Sequence, residues 1–134
     1  MDGGTKMIYN QEPIQVLWNW LKDLNSKDLK IYKEAMTEDD DSVPDSYVIL
    51  RSEVTNNPEK YGDGETILRG ADCDIILISK GTASTSKCLH NVNKKKIEKK
   101  LKEVVATFVG NNLGYDKESK SSQYVWSTRI IFTA

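Results

Sequence analysis

Residues 67–81 read ILRGADCDIILISKG, and no other stretch limits the possible folds as tightly. Ile75, Ile76, Leu77 and Ile78 are apolar without a break. Successive strand side chains point to opposite faces, so an unbroken apolar run marks a central strand covered on both faces. The rest of the chain must therefore supply strands for its two edges and helices to cover it. Gly70 is expected to mark a bulge or bend where this long strand changes direction. Asp72 and Asp74 flank Cys73 and share one face. Paired carboxylates can hold magnesium for a nuclease, but a sheet edge kept soluble by charge is the plainer reading and the one adopted.

Candidate neighbours lie on both sides in sequence. DSYVILRSEV, 45–54, is strongly β-prone, with Val48, Leu50 and Val54 on one side and Tyr47, Ile49 and Arg51 on the other. LKIYKEAM, 29–36, is a shorter, partly alternating strand. The stretch 55–65 holds Pro58, Gly62 and Gly64, which mark a long loop or the tip of an extended hairpin. Near the end, 113–116 forms a short strand, KESKSS a turn, and 124–132 a full strand. In that last strand Tyr124, Trp126, Ile130 and Phe132 face one way, and Val125, Ser127, Arg129 and Ile131 the other.

Two helices complete the inventory. In NQEPIQVLWNWLKDLN, Asn10 suits the N-cap, Glu12 the positive helix end and Pro13 the first turn. Ile14, Leu17, Trp18, Leu21 and Leu24 then form one apolar stripe. Trp20 falls beside it, next to Val16, which fits a wide core face or an aromatic held out for a partner. The second helix lies in NVNKKKIEKKLKEVVATFVG, with Ile97, Leu101, Val104, Val105 and Phe108 along one face and Gly110 as a left-handed stop. The expected architecture is α+β: a mainly antiparallel four- to five-stranded sheet with both helices packed on one face. Residues 1–9 are expected to be a flexible tail and 10–134 a single domain.

The second helix packs six lysines between Lys94 and Lys102, which raises the question of nucleic acid. The chain as a whole argues against it, with 19 Lys and Arg against 20 Asp and Glu. Phosphate-gripping domains carry a strong basic excess, and single-strand binders interleave aromatics that this run lacks. A solvated helix face is expected, its lysine stems covering apolar surface. No apolar stretch approaches a membrane span of about 20 residues, and no signal peptide opens the chain, so a soluble protein made in the cytosol is expected.

Catalytic and metal constellations are equally sparse. Cys73 and Cys88 lack a C-x-x-C spacing and are expected to be reduced thiols rather than a redox pair. A zinc site from Cys73, Cys88 and His90 would lack a fourth ligand. Asp39–Asp41 are adjacent rather than spaced as a calcium loop. No enzymatic activity, metal or cofactor is expected.

Several phrases together resemble the tail-terminator (tail-completion, or tail-to-head joining) proteins of long-tailed bacteriophages. They are Asp74, Ile76, Ile78, Ser79, Lys80 and Gly81 closing the long strand; Gly114 and Tyr115 after the helix; and Tyr124, Arg129, Ile131 and Phe132 in the last strand. The first helix and the YVIL strand also fit, so the order of elements matches over most of 10–134. The acidic stretch 38–41 and the lysine-rich helix are not part of the resemblance. It implies a structural virion protein at the head–tail junction. Such a protein caps the tail tube as a ring, in most cases a hexamer, stops its polymerisation and offers a joining surface to the head connector or stopper protein. Its partners would be itself, the tube protein and that connector, with no membrane and no specific nucleic acid. A head-side neck component and a small nucleic-acid-binding module are the alternatives.

A closed ring needs two different complementary surfaces on each subunit. The sequence offers acidic Glu38, Asp39, Asp40 and Asp41 against basic Lys94, Lys95, Lys96, Lys99 and Lys100. The polar stretches 37–45 and 55–65 are expected to order when assembly partners supply contacts.

Overall fold

The computed structural model describes residues 8–34, 44–55, 59–61, 66–82, 88–105 and 107–133. Within them the chain runs β1 (Ile8–Tyr9), α1 (Pro13–Leu21), a 3₁₀ turn (Lys22–Leu24), β2 (Lys30–Lys33) and β3 (Ser46–Val54). It continues through β4 (Glu59–Tyr61), β5 (Thr66–Lys80), α2 (Leu89–Val104), β6 (Val109–Asp116) and β7 (Ser121–Thr133). The class is α+β, and all seven strands join one sheet in the order β1-β7-β5-β3-β2, with β4 added on β5 and β6 on β7.

The long strand is central, as its apolar run requires. It lies antiparallel to β3 from Ala71 to Ser79 and to β7 from Leu68 to Lys80. The sheet is nevertheless mixed and larger than the four to five strands expected: its long ladders are antiparallel, but β2 runs parallel to β3 and β1 parallel to β7. Both parallel additions are short, and a parallel pair is not joined by a tight hairpin turn, so no turn signal announces them. β1 enters the expected tail, setting Ile8 opposite Ile131 and Tyr9 opposite Phe132. Within the stretch 55–65, β4 lies antiparallel to Thr66–Leu68 of β5. Of the stretches expected to order on assembly, residues 37–43, 56–58 and 62–65 lie outside the described residues.

One face of the sheet carries the core. Val48 and Leu50 of β3, Ala71, Cys73, Ile75 and Leu77 of β5, and Trp126, Ile130 and Phe132 of β7 form a buried cluster with Val16, Leu17, Trp20 and Leu21 of α1 and Ile97 and Leu101 of α2. Both helices therefore cover this face. Trp20 belongs to the wide core face, edge-on to Tyr9 with ring centroids 6.1 Å apart. On the opposite face Ile76 and Ile78 are only half-buried, so the central strand is covered on one face and not on both.

Local chemistry moved three boundaries. α1 starts at Pro13 with Glu12 in the N-cap position, without a side-chain cap bond, so Asn10 does not cap it. Proline needs no amide partner in the first turn and fixes the start there. α2 stops at Val104, and Val105 is already extended with φ −131° and ψ 139°. The β-branched run Val104, Val105, Thr107 and Val109 favours strand over helix. Gly110 consequently sits inside β6 rather than ending the helix. Gly70 marks no bulge, since the β5–β7 register is unbroken across it. Its missing side chain instead leaves room for the Arg129 guanidinium.

Candidate interaction surface and a buried polar cluster

The lysine helix divides into two populations. Ile97 and Leu101 face the core, and the flanking positions decide what each lysine touches. Lys94 turns back over the sheet, its Nζ 4.2 Å from the Tyr124 ring centroid and 3.9 Å from Glu98. Lys100 reaches Asp23 at 3.4 Å, tying α2 to the 3₁₀ turn after α1. Lys95, Lys96, Lys99 and Lys102 are exposed. Of the basic residues nominated for an interface, Lys95, Lys96 and Lys99 are thus exposed, whereas Lys94 and Lys100 make contacts inside the subunit. Their proposed acidic counterparts, Glu38, Asp39, Asp40 and Asp41, lie outside the described residues.

A second surface is the outer edge of β6. This strand pairs with β7 on one side and, among the described residues, has no strand on the other. Its sequence VGNNLGYD contains no lysine, arginine or proline, the residues that usually guard an edge. Val109 is 70% exposed, Leu113 52% and Tyr115 44%. A register shift between Asn112 and Gly114 pushes Leu113 outward, and Gly114 with φ +80° accommodates the turn of the backbone. Behind this edge, half-buried Val125, Ile76 and Ile78 continue the apolar character over the helix-free face.

The carboxylates on that face are committed across strands. Asp72 pairs with Arg129 at 3.1 Å, and Asp74 accepts a hydrogen bond from Ser127 Oγ at 2.7 Å. They sit on the central strand, so they are not guarding an edge. Cys73 points into the core between them, and burial, reinforced by Asp72 and Asp74, pushes its thiol up to about 12. Six strand residues separate Cys73 from Ser79, the partner of His90, a distance on the order of 20 Å. The three hypothetical zinc ligands Cys73, Cys88 and His90 are therefore not brought together. Among the described residues no group of three His, Cys, Asp or Glu side chains converges.

The structure does assemble one cluster that the sequence reading missed. Ser46 and Ser79 stand opposite each other at the end of the β3–β5 ladder, on the helix-covered face. Their hydroxyls are 2.8 Å apart. His90 Nδ1 lies 2.9 Å from Ser79 Oγ, and Asn93 Nδ2 donates to Ser46 Oγ at 2.9 Å. All four residues are at most 5% exposed. The cluster seats the first half of α2 on the sheet where apolar side chains seat the second. Burial, with help from nearby Lys94, holds the His90 imidazole below its ordinary value, so it is neutral near pH 7. A signal was available: stepping back from Leu101 and Ile97 along the buried stripe lands on Asn93 and His90, polar residues at core positions.

Beside this cluster a cleft of about 740 Å³ opens between Leu24, Leu29, Pro44, Leu89, Asn93 and Lys96. Asn93 thus borders both the buried cluster and the solvent-filled cleft. A serine and a histidine without a carboxylate, sealed under a helix, have the makings of a structural anchor rather than of a nucleophile. No family model matches the sequence. No curated protein matches it either.

Proposed function

We propose that this chain is a structural subunit of the phage tail terminator type, acting without enzymatic chemistry. Several copies, in most cases six, would close into a ring on the end of the tail tube, stop its growth and present a face to the head connector or stopper. The observation that carries the reading is the β6 edge: an unguarded strand of 8 residues with three exposed large apolar side chains. Natural monomers blunt such edges, whereas assembly proteins use them for strand addition or subunit contact. The phrases behind the resemblance occupy adjacent strands: Asp74–Lys80 ends β5, Gly114 and Tyr115 lie in β6, and Tyr124, Arg129, Ile131 and Phe132 in β7.

Within such a ring the exposed Lys95, Lys96 and Lys99 supply a basic surface for a neighbour, with Glu38–Asp41 as the acidic partner across the subunit boundary. Reversing those lysines to glutamate weakens assembly on this reading, and reversing the acidic stretch as well restores it. The function is tested by adding gold-labelled protein to preformed tail tubes. Label confined to one end supports a terminator. Label along the whole tube, or none, contradicts it.

The four exposed lysines of α2 favour a second reading, a nucleic-acid-binding module. That reading requires DNA affinity that falls steeply with salt. Salt-independent or absent DNA binding removes it.

A further inference from the structure

We infer that Asn93, Ser46, Ser79 and His90 form a proton-operated latch that holds the first turns of α2 against the β3–β5 pair and releases them when the imidazole takes up a proton. This goes beyond the assembly role and does not depend on it.

The inference rests on how the protons in the chain are allotted. Asn93 Nδ2 is a donor only, so Ser46 Oγ accepts from it. The Ser46–Ser79 and Ser79–His90 distances fit either direction, and we assign Ser46 as donor to Ser79 and Ser79 as donor to His90 Nδ1, the order in which both hydroxyl protons have an acceptor. With this assignment the imidazole is neutral and carries its proton on Nε2.

Protonation makes Nδ1 a donor and breaks the order. If Ser79 accepts from the imidazolium and passes its proton to Ser46, Ser46 receives two donors and its own proton has nowhere to go. If Ser46 keeps donating to Ser79, the proton of Ser79 is stranded. Either arrangement leaves one buried hydroxyl unsatisfied and one cation without a counter-charge, and both are costly in a dry site.

The surroundings offer no compensation among the described residues. On α2 the nearest charge is Lys94, which repels a second cation. On β5 and before β3 the neighbouring charged groups are Lys80 and Asp45, which lie at the solvent surface 3.8 Å from each other. Asp23, Lys27 and Asp28 stand with Asp45 in the wall of the cleft that Leu89 and Asn93 share, and among the described residues none of them bonds the imidazole. Relief comes from moving the ring into water.

The motion is confined by what lies on either side. Ile97 and Leu101 anchor the later turns in the apolar core, so those stay in place. The mobile unit is the turn from Leu89 to Asn93. Leu89 and Asn93 also wall the cleft, so release of the latch changes the cleft's shape. Proton uptake and whatever occupies that cleft are thereby linked.

His90 is the only histidine in the chain, so its ring titration can be followed directly by NMR in the whole protein. The second readout is hydrogen exchange at the Val92 amide, which donates to Cys88 O at 3.0 Å in the first turn of α2. Amides of the β5–β7 ladder serve as the reference for global opening. After correction for intrinsic exchange, the opening of Val92 should rise about tenfold for each pH unit below about 6.5, until the folded-state titration point is passed. The ladder amides open only through global unfolding, which frees the same ring, so they share this slope but should stay far less open than Val92 at every pH. His90→Gln keeps a hydrogen-bonding side chain without a titrating ring and should flatten the Val92 response. Should that variant fail to fold, Ser79→Ala provides the second test: it removes the donor to His90 Nδ1 and should raise Val92 opening at neutral pH, and an unchanged opening would overturn the latch. The latch is refuted if wild-type Val92 opens no more than the ladder amides at any pH, so that the turn is released only by global unfolding. It is equally refuted if His90 titrates with no change at Val92, or if His90→Gln retains the wild-type response.

Discussion

The two helices lie on the same face of the same sheet and are held there by different means. α1 has 9 residues and buries Pro13, Val16, Leu17, Trp20 and Leu21. α2 has 16 residues and buries only His90, Asn93, Ile97 and Leu101. Apolar burial is non-directional and indifferent to pH, so α1 is seated unconditionally. Half of α2's seating is a hydrogen-bond chain whose worth depends on geometry and protonation. A helix can therefore be firmly rooted at one end and conditional at the other.

The comparison can be broken most severely at the apolar anchors. Leu17→Ala on α1 and Leu101→Ala on α2 should each lower stability by about 2–5 kcal/mol, read from the denaturation midpoint. A small loss at Leu101 would mean that α2 is not core-anchored. Next comes the polar anchor. Asn93→Ala removes the donor to Ser46 and should cost about 1–3 kcal/mol. A neutral result there would reduce the cluster to a bystander.

A pH series separates the two seatings. The folded state lowers the His90 pKa through burial, so the unfolded chain binds the proton first, near its ordinary value of about 6.5. Stability from this group is fully present above that pH and declines as pH falls toward the folded value. Denaturation midpoints should show that decline in the wild type and lose it in His90→Gln. The smallest effect concerns the tie between the helices: Lys100→Ala removes a partly exposed ion pair with Asp23 and should cost about 0.2–1 kcal/mol, less in high salt.

Much of this architecture was legible from periodicity. The alternation of 124–132 and the apolar run 75–78 located β7 and β5, and the stripe through Leu17 and Leu21 located α1. Those signals are local: each depends on neighbours two to four residues away. The parallel pairings were not legible. The strand read over 29–36 is β2, Lys30–Lys33, but nothing in it announced a parallel partner, and β1, 2 residues in the expected tail, takes its identity from β7 at the far end of the chain. The exit from α2 was misplaced because Val105 and Phe108 continue the helical stripe by spacing. Their β preference and the partner strand β7 prevailed instead. The polar cluster was hidden for a third reason. Ser46, Ser79 and Asn93 are individually ordinary, and only the β3–β5 register and the docking of α2 bring them to His90. The lysine run was read as one solvated arc, whereas Lys94 and Lys100 are engaged inside the subunit.

The surfaces follow the same contrast. The conditional end of α2 lies beside the cleft, and its exposed lysines continue along the helix, while the β6 edge offers backbone and apolar side chains with no charge before Asp116. A ring subunit requires two such unlike faces.

The most direct measurement is negative-stain electron microscopy of tails assembled with and without this protein. The account predicts tubes of runaway length in its absence and blunt tails of uniform length in its presence. Tails of normal, uniform length in both cases would contradict it.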